Sequence, residues 1–165
     1  IGHLQPALTD ALQRENLKKV IFSALDALDI KYGASHSEFK IKRDGTIRII
    51  EIGARMGGDC IGSDLVFMST GNDFVKMVID VASGKKPEIL QCTDPKPVAV
   101  RFIMNKSDLL LLEKPEIHIT DKVDISNEFQ HEVVDSSTRF GYFLATGGSR
   151  EELKQALFNQ EGENR

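Results

Sequence analysis

The sequence predicts a mixed α+β fold in which a helix, a β-hairpin and two shorter helices precede a small β-rich unit that ends in another helix. Three patterns predict this order. Apolar residues recur at helical spacing over residues 10–30, apolar and charged residues alternate around an Asp-Gly turn at 44–45, and short apolar segments follow residue 97. Elements in this order are typical of α+β or mixed α/β domains.

Composition restricts the classes of protein that this chain can represent. It has 165 residues, of which 41% are hydrophobic and 28% charged, as in ordinary globular domains. The net charge of −4 disfavours a nucleic-acid-binding surface, and no apolar run approaches the ~20 residues of a membrane-spanning helix. Cys60 and Cys92 form no metal-binding or disulfide pattern, which favours a reducing compartment. We therefore expect a cytoplasmic protein without nucleic-acid or membrane partners.

The first predicted element is a helix over residues 10–30. Thr9 is its predicted N-cap, and Gly33 lies just beyond its predicted end. The apolar stripe that predicts the helix comprises Leu17, Val20, Ile21, Ala24, Leu25 and Leu28.

A hairpin is predicted next, with its turn at residues 43–46. Asp-Gly between alternating apolar and charged residues is the strongest short hairpin signal. Counting outward from this turn pairs Phe39 with Ile50 and Glu38 with Glu51.

Two helices are predicted after a glycine-rich loop at 53–59, over about 61–70 and 72–82, the second capped by Asn72. A connector rich in Lys and Pro at 85–97 divides the chain into two predicted parts, residues 1–90 and residues 91–165. The second part contains predicted strands at 98–103, 117–123 and 139–146. Its final helix is predicted after Ser149, which forms a capping box with Glu152.

The predicted hairpin places two carboxylates opposite one another at its open end. Directly opposed side chains have Cβ atoms about 4.5–5.5 Å apart, where like charges repel. A divalent cation reverses the sign of that interaction, and Mg²⁺ is typically held by one or two carboxylates together with waters and substrate phosphates. The pair Glu38 and Glu51 therefore predicts a Mg²⁺ site.

Groups suited to anions follow the second carboxylate. Arg55 lies four residues after Glu51, and the planar guanidinium fork suits phosphate or carboxylate. Gly57 and Gly58 let backbone N–H groups approach an anion closely. A cation, an arginine and backbone donors together are the parts expected for phosphoryl transfer.

These residues carry a resemblance to a known family. The stretch GASHSEFKIKRDGTIRIIEIGARMGGD, followed by an apolar helix and STGNDFVKMVID, resembles the C-terminal catalytic core of ATP-grasp enzymes. It is most similar to the carboxylate–amine ligases, which include L-amino-acid ligases, and more distantly similar to glycinamide ribonucleotide synthetases and biotin carboxylases. The resemblance covers about residues 1–85, and TRFGYFLATGGSREEL resembles the small β subdomain that ends several of these ligases. It implies a C-terminal catalytic lobe of the ATP-grasp fold with a small β-rich subdomain.

The resemblance implies a role for each residue of the motif. Glu38 and Glu51 would hold Mg²⁺, with Mn²⁺ as an alternative ion, and would bridge the phosphates of ATP. Arg55 would act with Glu51 in catalysis, holding the transferring phosphate and the acyl-phosphate. Gly57, Gly58 and His3 would lie at the substrate site.

The implied activity is ATP-dependent ligation of a small carboxylate to an amine through an acyl-phosphate. Gly53 stands where many ATP-grasp enzymes carry an asparagine that is a further metal ligand. The ATP-anchoring lysines and glycine-rich flap of the family precede the matched segment. The resemblance therefore implies a fragment that is inactive alone and needs the N-terminal part of the same enzyme, and a homodimer is also compatible with it.

Two other classes of function stay open at this point. Asp29 followed by Glu38-Phe39-Lys40 resembles the acidic and lysine arrangement of metal-dependent nucleases, but it leaves Glu51 and Arg55 unexplained. The alternative to both enzymes is a non-catalytic remnant or an assembly lobe. Mg²⁺-dependent nucleotide affinity separates the ligase from both.

Overall fold

The computed structural model describes residues 1–7, 9–126 and 128–159. Its helices are α1 (Ala11–Ala27), α2 (Val66–Thr70), α3 (Phe74–Ala82) and α4 (Arg150–Phe158), with a π-helical turn at Ile61–Leu65 leading into α2 and 3₁₀ turns at Lys106–Glu113 and Ser136–Thr138. Its strands are β1 (Gly2–Gln5), β2 (His36–Ile41), β3 (Ile47–Gly53), β4 (Val98–Phe102), β5 (Ile117–Val123) and β6 (Tyr142–Gly147). The mixed fold predicted from the sequence is confirmed.

A four-stranded antiparallel sheet in the order β1-β4-β6-β5 contains most of the buried core. Strand β4 is buried at every position because β1 and β6 flank it and side chains cover both faces. One face packs against α4 through Leu153 and Leu157, and the other packs against Leu65. Phe143 is fully buried between these layers.

The β2–β3 hairpin forms a separate two-stranded sheet, accompanied by α1 and α3. Neither α1 nor α3 contains a residue that is fully buried. Large apolar side chains in this part are exposed, including Phe22 at 61% and Ile50 at 57%. The hairpin region is therefore much less covered than the four-stranded sheet.

Several predicted boundaries are wrong by a few residues. The N-cap of α1 is Asp10, which forms a reciprocal capping box with Gln13, and the N-cap of α3 is Asp73. Thr9 and Asn72 each precede the true cap, because two adjacent residues in each case have side chains suited to capping. The predicted strand at 139–146 begins only at Tyr142.

Strand β1 was not predicted. It is four residues long and pairs in register with β4, so the N-terminal end of the chain lies in the same sheet as the C-terminal half. The strand is formed by pairing with β4, about 100 residues away along the chain. No local sequence pattern indicates such a pairing, so the sequence did not predict it. The division into residues 1–90 and 91–165 stays a prediction.

Among the described residues, none of the helices has the length and apolar character needed to cross a membrane.

Candidate active site

The β2–β3 hairpin brings Glu38 and Glu51 into direct opposition, as the sequence predicts. The pairing between them and the turn differs from the prediction. Phe39 pairs with Ile49 instead of Ile50, and a bulge between Glu38 and Phe39 restores the predicted register at the carboxylates. The two glutamates therefore occupy neighbouring positions on one side of the irregular end of the hairpin, where bulges often re-aim functional side chains.

The turn explains why the pairs between it and Phe39 are shifted by one residue from the predicted register. Gly45 is left-handed, with φ of +82°, and its N–H donates to the carbonyl of Lys42. The N–H of Lys42 in turn donates to the carbonyl of Thr46. This is the longer Asp-Gly turn with a glycine bulge, which adds one residue to the loop relative to the turn that we predicted.

Both glutamates are exposed. Their two carboxylates could bind a divalent cation whose remaining ligands are phosphate oxygens and water. The imidazole of His36 lies 3.5 Å from a carboxylate oxygen of Glu38. Within the described ranges, no group of three or more His, Cys, Asp or Glu side chains could hold a metal alone. Two carboxylates are nonetheless the number that Mg²⁺ usually takes from a protein when phosphates complete its coordination. Gly53, opposite His36, supplies no side-chain ligand.

Arg55 begins the loop that leaves the hairpin. Its side chain is exposed, and Nη1 donates to the carbonyl of the neighbouring residue, Met56, at 2.9 Å. This bond uses one N–H of the five that a guanidinium offers. The loop Arg55–Gly58 thus presents a cation immediately after the strand that carries Glu51.

The two glycines of this loop have different surroundings. A Cβ added at Gly57 would lie 2.8 Å from Nδ1 of His36, whereas one added at Gly58 would meet nothing within 4 Å. Gly57 is buried and Gly58 is exposed. The absence of a side chain at Gly57 lets His36 approach the loop, so His36 contacts both the loop and Glu38.

The chain then makes an unusual turn into α2. Asp59 and Cys60 are both left-handed, with φ of +51° and +62°, a conformation that non-glycine residues rarely adopt. The N–H of Ile61 donates to the carbonyl of Gly58 at 2.9 Å, and the π-helical turn Ile61–Leu65 follows. Such strained segments cluster at functional sites.

Asp59 connects this turn to the four-stranded sheet. Its two carboxylate oxygens accept bonds from Nη1 and Nη2 of Arg139 at 2.8 and 3.2 Å. The guanidinium of Arg139 lies over the ring of Phe102, with its central carbon 3.7 Å from the ring centre. His3 on β1 lies 3.4 Å from Asp59 and edge-on to Phe102. Hydrogen bonding from Arg139, with a smaller contribution from His3, lowers the pKa of Asp59 and outweighs the effect of partial burial.

A cleft of about 450 Å³ opens beside Asp59 and Arg139. This volume lies within the range of small-molecule sites. Interaction with the neighbouring Cys60 thiol, together with burial, raises the pKa of the Tyr142 hydroxyl to about 12, and burial raises the pKa of the Cys60 thiol. Both groups are therefore protonated at neutral pH. The other residues that line the cleft are Ser63, Asp64, Phe102, Asp124, Ser136 and Gly141.

Of the residues that the sequence singled out, the structure pairs the two carboxylates, and the roles assigned to all of them stay predictions. Glu38 and Glu51 are paired, and the loop with Arg55, Gly57 and Gly58 continues directly from their hairpin. His3 contacts Asp59 at the cleft instead of joining the carboxylate pair. Sequence reasoning did not identify Asp59 or His36 as part of the site. The distance between Asp59 and Arg139 along the chain is 80 residues, so no local pattern could have joined them.

The arrangement proposed for a nuclease finds no support in these contacts. The carboxylate of Asp29 is 2.6 Å from the ammonium of Lys31, and Lys40 pairs across the hairpin with Arg48.

No protein-family model matches the chain, and no curated protein matches it in sequence. Its fold is shared with solved enzymes. An L-amino acid ligase from Bacillus licheniformis matches 93% of this chain with a TM-score of 0.72 and 22% identity. A phosphoribosylglycinamide synthetase from Anaerococcus prevotii matches 94% of it with a TM-score of 0.68 and 19% identity.

A third match is the biotin carboxylase domain of the 2-oxoglutarate carboxylase of Hydrogenobacter thermophilus, solved as a dimer with MgADP, ADP and bicarbonate. It matches 88% of the chain with a TM-score of 0.56 and 19% identity. The matched region is 42% of the ligase and of the synthetase, and 34% of the carboxylase domain, so this chain spans about two fifths of the length of the first two. The chain therefore shares the fold of these solved enzymes, the ATP-grasp fold, over part of their length.

Proposed function

We propose that this chain is part of an ATP-dependent carboxylate–amine ligase and carries its magnesium and phosphate site. The observation that supports this proposal most strongly is the pairing of Glu38 with Glu51 directly before the loop that presents Arg55. The opposed carboxylates repel one another unless a cation lies between them. The ATP-grasp fold supplies the context in which that cation would be bound to a nucleotide.

The cofactor in this proposal is ATP with Mg²⁺, or with Mn²⁺ as the alternative ion. Glu38 and Glu51 would hold the metal through their carboxylates, leaving its other positions to phosphate oxygens and water. When bound, the metal supplies the positive charge that offsets the charge of the phosphates. The MgADP in the biotin carboxylase domain is a precedent for this choice.

Arg55 and the loop after it would act on the group that is transferred. An exposed guanidinium can bind two oxygens of a phosphoryl group at once, and Arg55 needs only to give up its bond to Met56 to do so. The backbone N–H of the exposed Gly58 can approach an anion without a side chain in the way, and we assign the adjoining Gly57, which is buried against His36, to the same site. The residues would stabilise charge and hold reactants in place, which is most of what phosphoryl transfer requires.

The reaction has two steps. A substrate carboxylate oxygen attacks the terminal phosphorus of ATP, and the bond from that phosphorus to ADP breaks, which gives an acyl-phosphate. The nitrogen of an amine then attacks the acyl carbon, phosphate leaves and the nitrogen loses a proton, which gives an amide. The cleft beside Asp59 is the proposed entry for the amine substrate, because Asp59 directly follows Gly58 in the loop and the lining carboxylates suit an amine better than an anion.

This proposal concerns the whole enzyme, because the chain spans about two fifths of the length of the ligases it matches. The nucleotide-anchoring groups would come from the N-terminal part of the same enzyme. We therefore expect the isolated chain to be inactive, and we propose the cytoplasm as the location of the enzyme.

Glu51→Gln in the natural full-length protein tests the assignment. The substitution keeps the size of the side chain and removes one charge, so we expect ATP-dependent amide formation to fall by about 100-fold or more. Glu88→Gln, at an exposed glutamate after α3, is the control and should leave turnover near the wild-type value. Near-normal turnover in Glu51→Gln, measured as ADP release with a panel of amino acids, would contradict the proposal.

A further inference from the structure

The bidentate ion pair between Asp59 and Arg139 links the two halves of the molecule at the edge of the proposed active site. We propose that these two side chains are positioning residues that hold the loop Arg55–Gly58 in its working conformation. This inference rests on the proposed function for its catalytic consequence, but the contact and its mechanical role can be tested without it.

Arg139 is held on the rigid side of this link. It immediately precedes Phe140, whose exposed fraction is only 4% and whose N–H donates to the carbonyl of Ile103 at 2.9 Å. The N–H of Ile103 donates back to the carbonyl of Gly141 at the same distance, so the backbone on the C-terminal side of Arg139 is bonded in both directions to the segment that follows β4. The guanidinium also stacks on Phe102, which is almost fully buried. These contacts fix the direction in which Arg139 presents its two donors.

The loop side of the link has less support of its own. Asp59 and Cys60 are both left-handed, and such a conformation persists only where the surroundings impose it. The exposed strand β3 and the exposed Gly58 impose little on the loop, whereas Gly57 lies against His36 and Cys60 packs against the cluster that contains Leu65. Asp59 is the residue of this segment that makes a bidentate bond to the sheet, so we expect it to impose the turn.

The charge of the pair disfavours a simpler role for Arg139, direct binding of an anion. A guanidinium that lines a cleft could bind a substrate anion directly. Here Asp59 neutralises it and accepts one N–H from each terminal nitrogen. The other ionisable carboxyl groups that line the cleft, Asp64 and Asp124, add further negative charge. An anion would therefore find little attraction at Arg139, whereas the geometry suits a fixed connection.

The identity of residue 59 also supports a fixed connection between the loop and Arg139. Aspartate and asparagine tolerate the left-handed conformation better than other side chains with a Cβ. Asp59 therefore combines tolerance of the turn with the charge needed to bind Arg139. Asp59→Asn keeps the first property and removes the second, so this variant separates the link from the backbone conformation.

The test compares Asp59→Asn and Arg139→Lys with wild type in the natural full-length protein. Amide hydrogen exchange of residues 55–60 should accelerate about tenfold or more in both variants, while exchange in β4 and β6 stays at the wild-type rate. Arg139→Lys keeps the charge but loses the fork and should be the milder of the two. The double variant should exchange no faster than Asp59→Asn alone, because both changes break one contact.

Asp80→Asn is the matched control, since it breaks an exposed ion pair with Lys76 on α3 that is remote in sequence from the loop. It should leave exchange at 55–60 unchanged. Unchanged loop exchange in Asp59→Asn would overturn the proposal. So would faster exchange throughout the sheet, because that result would show a general contribution to stability instead of positioning of the loop.

Steady-state kinetics test the catalytic part. Misplacement of the loop should lower kcat by about 10–100-fold and leave KM for ATP within about threefold of wild type. Arg139→Lys should recover part of the loss. An unchanged kcat together with accelerated loop exchange would overturn the positioning role and leave only a mechanical link. If wild type shows no ATP-dependent turnover, the proposed function fails, and the exchange measurement still decides whether the link exists.

Discussion

The four-stranded sheet and the β2–β3 hairpin differ in how far their apolar side chains are covered. Every residue of β4 is buried, whereas β2 and β3 contain no fully buried residue and α1 is equally open. The proposed metal ligands lie in the open region, and the best-packed residues lie in the other. The comparison indicates that the sheet supplies stability, whereas the hairpin carries the residues proposed for the chemistry. The ion pair of Asp59 with Arg139 joins the loop after the hairpin to the segment before β6.

The largest expected difference between the regions is in the loss of stability when a phenylalanine is replaced by alanine. Phe143→Ala removes a side chain with no exposed surface and should lower the free energy of unfolding by about 3–5 kcal/mol. Phe22→Ala makes the same chemical change at a side chain that is 61% exposed, and should change it by about 0.5 kcal/mol or less. Urea denaturation of this chain measures both.

Equal losses in the two variants would contradict the comparison. Repeating Phe22→Ala in the natural full-length protein sharpens it. A loss of about 2 kcal/mol or more there would show that further chain covers α1 in the complete enzyme.

A smaller effect is expected at the paired glycines of the loop. Gly57→Ala should lower the free energy of unfolding by about 1–3 kcal/mol, because the new Cβ would lie 2.8 Å from the ring of His36. Gly58→Ala meets nothing within 4 Å and should be neutral or stabilising by up to about 1 kcal/mol. Thermal unfolding of the two variants gives the comparison. A loss in Gly58→Ala as large as in Gly57→Ala would show that the loop, and not contact with His36, sets the requirement for glycine.

The smallest effect is a dependence on pH. Because Arg139 lowers the pKa of Asp59 in the folded protein, the contribution of this pair to stability is complete above the unfolded-state value of about 3.9 and is lost as pH falls through the lower folded-state pKa. The difference in urea midpoint between wild type and Asp59→Asn should therefore be constant near pH 5 and shrink towards pH 3. A difference that grows as pH falls would contradict the direction of the shift.

The hairpin shows which parts of the site can be predicted from sequence. The Asp-Gly turn and the alternation on both sides predicted the hairpin and the opposition of Glu38 and Glu51, and both are present. The predicted pairs between the carboxylates and the turn were wrong by one residue. A left-handed Gly45 lengthens the turn by one residue, and the bulge, in which Ile50 is the extra residue, restores the pairing at the carboxylates. Local sequence is compatible with either turn, and packing against the rest of the fold decides between them.

Contacts between distant parts of the chain were not predictable in this way. β1 pairs with the edge of β4, about 100 residues away, and Asp59 contacts Arg139, which is 80 residues away along the chain. The glycine–glycine loop was visible in the sequence, but the reason that Gly57 must lack a side chain lies in the position of His36. One sequence thus predicted the opposition of Glu38 and Glu51 but not the long-range contacts around the loop that follows them.

The most direct test of the central claim is the affinity of the natural full-length protein for ATP, measured by calorimetry with and without Mg²⁺. Wild type should bind ATP at least about tenfold more tightly with Mg²⁺, and Glu38→Gln and Glu51→Gln should each remove most of that difference, because each carboxylate would hold the metal that joins the nucleotide to the protein. Affinity for ATP without Mg²⁺ should be similar in all three proteins. A Mg²⁺ dependence that survives in both variants would show that the metal is bound elsewhere and would contradict the account.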